Sequence, residues 1–591
     1  MEKHRFEQMN RLMSTAYFIV KEELSFRTFP SIVELQIKNG LSLGSMYSSD
    51  NACRRFVDFI YNDIMEPIFH EVRSAKHTSI LVDSSTDSSN RDLELMYARY
   101  LKNGVPVNVL IGLQELEHAN APGHFNAIKL ALEAISFDNW QSSIVALGTD
   151  GAAVMIGRER GLATLMREKV PWLYNIHCMA HRLELGVMDV IKQHHEMQRI
   201  TDMLQGMFKT YKASPKSWRD LQRVAEVMET RLLRPGNVQG TRWLPHIKAA
   251  LRALMESFEA ISAHRENMVE QRAGSAEMQG RARKSLRILK DHRIVRFSCF
   301  IMDVLDILSR LSLRLQEDVL TVAGGVNALK TCDLRLMGLK STVGEAEGAF
   351  VEEVSSGQYK GVDMEPLHDD AITSLNALRS TILDDIAEHL YKRFESMQSD
   401  LILAACDIID VTRWPTEETL GAYGNAAVDV VIDHFRDAME PTNINRIHHE
   451  WAVLKTHISR MSHTRRSKVW KQAFSDEDLM EECPNVMGVI EIILLLPLQQ
   501  PVQTDAYSIG RALNIWKEMG KKLRAEKEAL GKNRNRHKKV MIPAHYLANI
   551  IDLRLKGEIL SEDERNKTQS LQETTMATLN FCIASFCLTL S

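Results

Sequence analysis

The chain has 591 residues, 45% hydrophobic and 25% charged, which is an ordinary globular composition with enough length for two to four domains. Lysine and arginine total 73 against 77 acidic residues, and the net charge of -4 excludes a global basic field for nucleic-acid binding, so such binding needs local patches. The eight cysteines never show CxxC spacing, and no apolar run reaches the roughly 18 residues of a membrane helix. We therefore expect a soluble, reduced intracellular protein without a membrane partner.

The first predicted elements are helices followed by three strands. Residues 1–75 are predicted to be a helical region, since "ACRRFVDFIYNDIMEPIFHEVR" carries an apolar stripe at helical spacing. "HTSILVDSST" is typical of a strand, and "DLELMYARYLKNGVPVNVLIGLQEL" predicts two strands joined at Asn103-Gly104, a strong hairpin signal.

Helices and strands then alternate. "GHFNAIKLALEAIS" predicts a helix, "SSIVALG" a strand, "GLATLMREKV" a helix, "LYNIHC" a strand and "HRLELGVMDVIKQ" a helix. The order βββαβαβα predicts a mixed sheet with helices on its faces, which is the order of an RNase H-like α/β fold, over residues 76–192.

Two aspartates end strands of this sheet. Asp83 ends "SILVD" and Asp150 ends "SIVALGTD". If these strands are neighbours, their ends lie about 4.8 Å apart, and the two carboxylates then repel unless a proton or a cation lies between them. Mg²⁺ or Mn²⁺ suits such oxygen ligands and could clamp a phosphodiester. The alternative is that each aspartate is a turn or cap residue.

Four segments resemble the landmarks of hAT-superfamily transposases and of the host proteins derived from them: "ILVDSSTD", "ALGTDGAAVMIGRERGLATLM", "IHCMAHRLEL" and "TRWLPH". The resemblance runs from about residue 15 to residue 560. It implies that Asp83 and Asp150 are two of the metal-binding catalytic acids, vestigial or active. It further implies an RNase H-like domain split by a large all-α insertion, assigned here to residues 193–470, with the second part of the domain at residues 471–560.

The same resemblance assigns roles to residues outside the acid pair. Cys178 and His181 match a conserved cysteine and histidine near the active site, beside His177, and Trp243 after Arg242 matches a tryptophan used against DNA at the transposon end. Two alternatives stay open: zinc binding by His177, Cys178 and His181, which needs a fourth ligand, and a core role for Trp243. Arg534, Arg536 and Lys538 in "GKNRNRHKK" predict a nucleic-acid or nuclear-import patch, or else a solvated charged loop.

The chain departs from the family in three places. Only Cys53 precedes residue 177, which is too few ligands for an N-terminal Cys/His zinc finger. The third acid of the family is missing after the apolar run "VIEIILLLPL", unless Glu482, Glu491 or Glu562 replaces it. The tail at residues 561–591 does not match the family's dimerisation block, although "IPAHYLANIIDLRLKGEIL" resembles the stretch before it.

These features together predict a transposase-derived nuclear protein that binds DNA or chromatin without cutting it. Mg²⁺ or Mn²⁺ would be its cofactor only if it is active. Two alternatives are an active metal-dependent DNA transposase and a protein-interaction scaffold in SUMO transfer. A homo-oligomer or other protein partners are compatible with the sequence.

Overall fold

The computed structural model describes residues 2–498 apart from residues 23, 87–90, 158, 239–242, 273, 318, 440–442 and 462–467. The first part consists of three helices, α1 (Glu2–Lys21), α2 (Phe29–Lys38) and α3 (Asp50–Ser74). They enclose a core of their own in which the Phe29 and Phe56 rings lie 6.3 Å apart. The helical region expected over residues 1–75 therefore ends with α3, directly before the first strand.

A five-stranded mixed sheet follows, and its strands are β1 (Thr78–Thr86), β2 (Asp92–Lys102), β3 (Val105–Glu115), β4 (Ile144–Thr149) and β5 (Tyr174–His177). The strand order is β3-β2-β1-β4-β5. β1, β2 and β3 pair antiparallel, whereas β4 runs parallel to both β1 and β5. The mixed α/β architecture expected from the sequence is confirmed.

The predicted hairpin between β2 and β3 is present. Lys102 pairs with Val105, and Asn103 and Gly104 between them have φ angles of 51° and 72°. Two consecutive positive φ angles belong to the tight turn whose twist matches that of the strands, and Asn-Gly adopts it with little strain.

Helices connect and cover the strands. The helices of this part are α4 (Ala121–Ala134), α5 (Trp140–Ser143), α6 (Ala153–Ile156), α7 (Leu162–Arg167) and α8 (Met179–Gln193). Asn120 caps α4 by accepting a hydrogen bond from the Gly123 amide at 2.9 Å. Apart from the short helices α5 and α6, the order of elements is the expected βββαβαβα.

Helices dominate the long region that follows. Its helices up to the small hairpin are α9 (His195–Ala213), α10 (Pro215–Val227), α11 (Trp243–Glu256), α12 (Phe258–Glu270), α13 (Ala276–Lys290), α14 (His292–Arg314), α15 (Val322–Ser341) and α16 (Glu345–Glu353). The helices after the hairpin are α17 (Asp369–Arg393), α18 (Asp400–Ile409), α19 (Glu417–Leu420), α20 (Asn425–Phe435), α21 (Ile447–Arg460), α22 (Val469–Ser475), α23 (Glu477–Glu482) and α24 (Pro484–Leu495).

Two details differ from the sequence-based division. The region expected to be entirely helical contains a two-stranded antiparallel hairpin, β6 (Gln358–Tyr359) and β7 (Val362–Asp363), whose turn places Lys360 and Gly361 at positive φ. The boundary set at residue 470 falls inside α22. Within the described part of the chain, no helix has the length and apolar character needed to cross a bilayer.

Buried charges hold the helical region together. Glu347 on α16 is fully buried between two arginines: its Oε1 lies 2.9 Å from Arg296 Nε and its Oε2 lies 3.1 Å from Arg379 Nη2. Lys455 on α21 is 1% exposed, and its Nζ donates to the carbonyl oxygens of Leu420, Gly421 and Tyr423 at 2.7–2.8 Å. Glu347 and Lys455 therefore each have several partners, as burial of a charge in a medium of low dielectric requires.

Candidate active-site edge of the sheet

The two aspartates lie at the same edge of the sheet. Parallel strands β1 and β4 are in register, with Leu81 paired to Gly148, and Asp83 and Asp150 each follow two residues later. Neighbouring strands are about 4.8 Å apart, and side chains two residues apart share a face. The sequence analysis required the strands of Asp83 and Asp150 to be neighbours, and β1 and β4 are neighbours.

Asp150 begins a tight turn against β5. Its Oδ1 accepts a hydrogen bond from the Ala152 amide at 3.0 Å, which is the turn role that the sequence also allowed. A Cβ on the intervening Gly151 would lie 2.0 Å from Cε1 of His177. Only glycine lets the backbone after Asp150 approach the His177 imidazole this closely.

His177 and His181 form a pair beside this turn. His177 ends β5, His181 lies in the first turn of α8, and their ring centroids are 5.6 Å apart. Burial lowers the pKa of His177 to about 3, with further lowering by the charges of Arg182, His181 and Arg393. Burial also lowers the pKa of His181, against the opposing effect of the Asp150 charge. Both imidazoles are consequently neutral near pH 7.

His177 presents a buried nitrogen to the site. Its side chain is 9% exposed, and Nε2 has no hydrogen-bond partner among the described residues. The neighbouring Cys178 is 5% exposed, and its amide donates to the Thr149 carbonyl at 2.8 Å, which extends the β4–β5 ladder. Within the described residues, no three His, Cys, Asp or Glu side chains are arranged to hold a metal ion, so the zinc alternative gains no fourth ligand there.

A late segment of the chain covers this edge. α24 runs along the sheet in the direction of β1: its Gly488 faces Lys76, Glu491 contacts His77, and the Leu494 carbonyl accepts from Arg99. The segment after α24 then reaches the acid edge. A Cβ on Gly148 would lie 3.2 Å from Pro497, and the Leu498 carbonyl accepts from the Met179 amide at 3.0 Å.

Two of the proposed third acids lie away from the acid pair. Glu491 Oε2 is 3.1 Å from His77 Nδ1, at the start of β1, and six residues of strand separate His77 from Asp83, roughly 20 Å. Glu482 ends α23, just before α24 begins at Pro484, and because α24 runs toward the acid edge, Glu482 lies farther from the acids than Glu491 does. Glu562 lies outside the described residues.

The predicted nucleic-acid residues have different placements. Trp243 begins α11, is 8% exposed and belongs to the main hydrophobic core, while the next amide, of Leu244, donates to Glu184 Oε2 at 2.9 Å. This burial favours the core role that the sequence left open for Trp243. Arg242 lies outside the described residues, as do three basic residues of the later patch, Arg534, Arg536 and Lys538.

A buried polar cluster near the acids was not foreseen. Glu94 on β2 is fully buried, and its Oε2 accepts from Ser84 Oγ at 2.7 Å and lies 2.8 Å from His124 Nδ1. Ser84 follows Asp83, and because side chains alternate along a strand, this cluster occupies the opposite face of β1. The sequence feature that indicates this cluster is the charged Glu94 inside the apolar strand "DLELMYARY". A carboxylate in a buried strand needs a polar partner, so Glu94 predicts one nearby.

The chemistry available at this edge is that of two carboxylates, two neutral imidazoles and nearby guanidinium groups. Arg393 is partly exposed, pairs with Asp189 at 2.6 Å, and lies close enough for its charge to act on both histidines. A phosphate-bearing ligand with a divalent cation would therefore meet both oxygen ligands for the cation and a positive charge. No protein-family model matches this chain.

Proposed function

We propose that this protein is derived from a transposase with an RNase H-like sheet and acts as a nucleic-acid or chromatin-binding module that does not cleave DNA. The observation that carries the proposal is the parallel pairing of β1 with β4, which sets Asp83 and Asp150 at one edge. The strand order β3-β2-β1-β4-β5, with its first three strands antiparallel, supports the RNase H-like assignment.

The donor set at this edge suits Mg²⁺ or Mn²⁺. Mg²⁺ is commonly bound through one or two carboxylates, several waters and the phosphate oxygens of a substrate. Asp83 and Asp150 would hold such an ion. When bound, it would supply positive charge to a phosphodiester. The neutral imidazole of His177, whose Nε2 has no partner among the residues that the structure describes, would accept a hydrogen bond from a ligand at the same edge.

The positions of two candidate third acids, Glu482 and Glu491, support the proposal that the protein does not cleave DNA. Alignment of an attacking water on a phosphodiester needs more than two carboxylates in the family that the chain resembles. Glu491 is engaged with His77 at the other end of β1, and Glu482 lies beyond it. Two carboxylates alone would bind the ion weakly and leave the water poorly aligned.

Metal titration tests the acid pair. We expect saturable Mn²⁺ binding by calorimetry in the full chain, with affinity lowered about tenfold or more in Asp83→Ala and in Asp150→Ala, since each removes a charged ligand. Asp138→Ala removes an exposed carboxylate from the loop between α4 and α5 and serves as the matched control. Equal titration curves for wild type and both acid variants would remove the metal-pair proposal.

DNA binding is tested separately. We expect retardation of a duplex at low salt that weakens linearly in log[salt], because phosphate contacts release counterions. No retardation at any salt concentration would defeat the binding-module proposal. Nicking of a supercoiled plasmid with Mn²⁺, lost in Asp83→Ala, would instead establish the active transposase. The scaffold role in SUMO transfer has no supporting contact among the described residues.

A further inference from the structure

A cavity of about 130 Å³ lies in the helical region, away from the sheet, between α9, α12 and α13. Its wall is largely apolar, with Met203, Gly206 and Met207 from α9 and Ile288 from α13. A cavity of similar volume, about 150 Å³, accommodates a molecule the size of benzene. The space is therefore sufficient for an organic group of several heavy atoms.

Arg265 on α12 lines this cavity and is 1% exposed. Its guanidinium carbon lies 4.9 Å from the centroid of the Tyr211 ring, and Nη1 lies 3.8 Å from the Met268 sulfur. Within the part of the chain that the structure describes, Arg265 Nε has no hydrogen-bond partner, and no carboxylate pairs with this arginine. Structural arginines at this depth normally pair with an acid, because a buried charge without one is costly.

The other charges around the cavity are mainly positive. Arg281 and Lys284 of α13 line it, against the single carboxylate of Asp202. Arg281 already pairs with Glu277 at 2.6 Å, but its Nε, like that of Arg265, is buried without a partner among the described residues. Two unpaired N–H donors and an ammonium group thus surround an apolar space.

We propose that this cavity binds a small organic anion, with a carboxylate or phosphate head on the Arg265 guanidinium and a short hydrocarbon tail against Met203 and Met207. The planar guanidinium matches the oxygens of either head group. Arg281 and Lys284 of α13 also line the cavity and add positive charge that attracts the head group. The tail replaces water in the apolar part, which contributes affinity through buried area.

Three probes separate the contributions of head and tail. We expect calorimetry on the full chain to show one-to-one binding of hexanoate, and binding at least tenfold weaker for both 1-hexanol and inorganic phosphate. The loss of a hydrogen bond to a charged group or of several buried methylenes gives a change of this size. No binding of hexanoate, or equal binding of 1-hexanol, would overturn the proposal.

A blocking variant tests the location without touching a charge. Gly206 lies mid-helix in α9, and a Cβ there would have no atom within 4 Å, so Gly206→Leu fills the cavity without a clash. Gly338→Leu is the matched control, since Gly338 is equally half-buried, lies mid-helix in α15 and also has open space. Hexanoate binding should be lost in Gly206→Leu alone. Retention in this variant would contradict the assignment.

The charged residues are tested in parallel. Arg265→Met should abolish hexanoate binding, and Lys284→Met should weaken it roughly three- to tenfold, the range for a partly exposed charged contact. Arg283→Met removes an exposed charge from the same helix outside the cavity and should bind as wild type. If Arg265→Met fails to fold, Lys284→Met and Gly206→Leu decide the outcome. Binding equal to wild type in these variants would refute the proposal.

Discussion

A methyl group added at Gly151 should displace the His177 imidazole. In the wild type the Cβ position of residue 151 lies 2.0 Å from His177 Cε1, whereas carbon atoms in contact are about 3.5 Å apart, so the ring must move by about 1.5 Å. We expect Gly151→Ala to cost about 1–3 kcal/mol of unfolding free energy, the usual range for overpacking. Movement of the ring toward water should also raise the pKa of His177 from about 3 toward 6.5, because burial is the main cause of the lowering.

NMR of the chain carrying isotope-labelled histidine measures this pKa directly. In wild type, the His177 signals should stay at their neutral-imidazole positions down to about pH 4, and in Gly151→Ala they should shift between about pH 5 and 7. Gly280→Ala is the matched control, since a Cβ there meets no atom within 4 Å. A titration curve for His177 that is the same in Gly151→Ala as in wild type would refute the close approach of residue 151 to the His177 ring.

Three further changes probe buried charges. Glu347→Gln should destabilise the protein by about 3–5 kcal/mol in urea unfolding, because the buried Arg379 and the partly buried Arg296 lose their counter-charge. The exposed Glu388→Gln on α17 should unfold as wild type does. Lys455→Met should cost about 1–3 kcal/mol by the same measurement, since three backbone carbonyls lose their donor. Burial lowers the pKa of His264 to about 4, so stability should fall as the pH drops from about 6.5 to 4. The full effect is on the order of 3 kcal/mol, and it should be smaller in His264→Asn, measured by unfolding at each pH.

The elements that the sequence predicted best are those with local signals. Asn103-Gly104 predicts a tight turn because few other residue pairs adopt two consecutive positive φ angles. The apolar runs before Asp83 and Asp150 predict buried strands. The pairing of β1 with β4 is a non-local feature, but the order βββαβαβα leaves few arrangements of a mixed sheet, so the shared edge of the two aspartates could be anticipated.

The unanticipated parts depend on contacts between distant residues. The apolar pattern of "VIEIILLLPL" predicts a buried helix but not which face of the sheet it covers, so the engagement of Glu491 by His77 was not expected. Trp243 looks the same in sequence whether it faces solvent or a core. The sequence does not indicate that Arg265 is buried, because its burial depends on the packing of α12 against α13 and on the contact with Tyr211 of α9.

The contact between His77 and Glu491 spans 414 residues of sequence. At a synthesis rate of about 5–20 residues per second, roughly 20–80 s pass on the ribosome between the appearance of β1 and that of the helix that covers it. During that interval the apolar face of the sheet next to β1 and β4 has no α24 beside it. Until α24 is made, this face either stays unfolded or is shielded by a chaperone. The speed of translation between residues 78 and 498 therefore affects the folding yield of the protein.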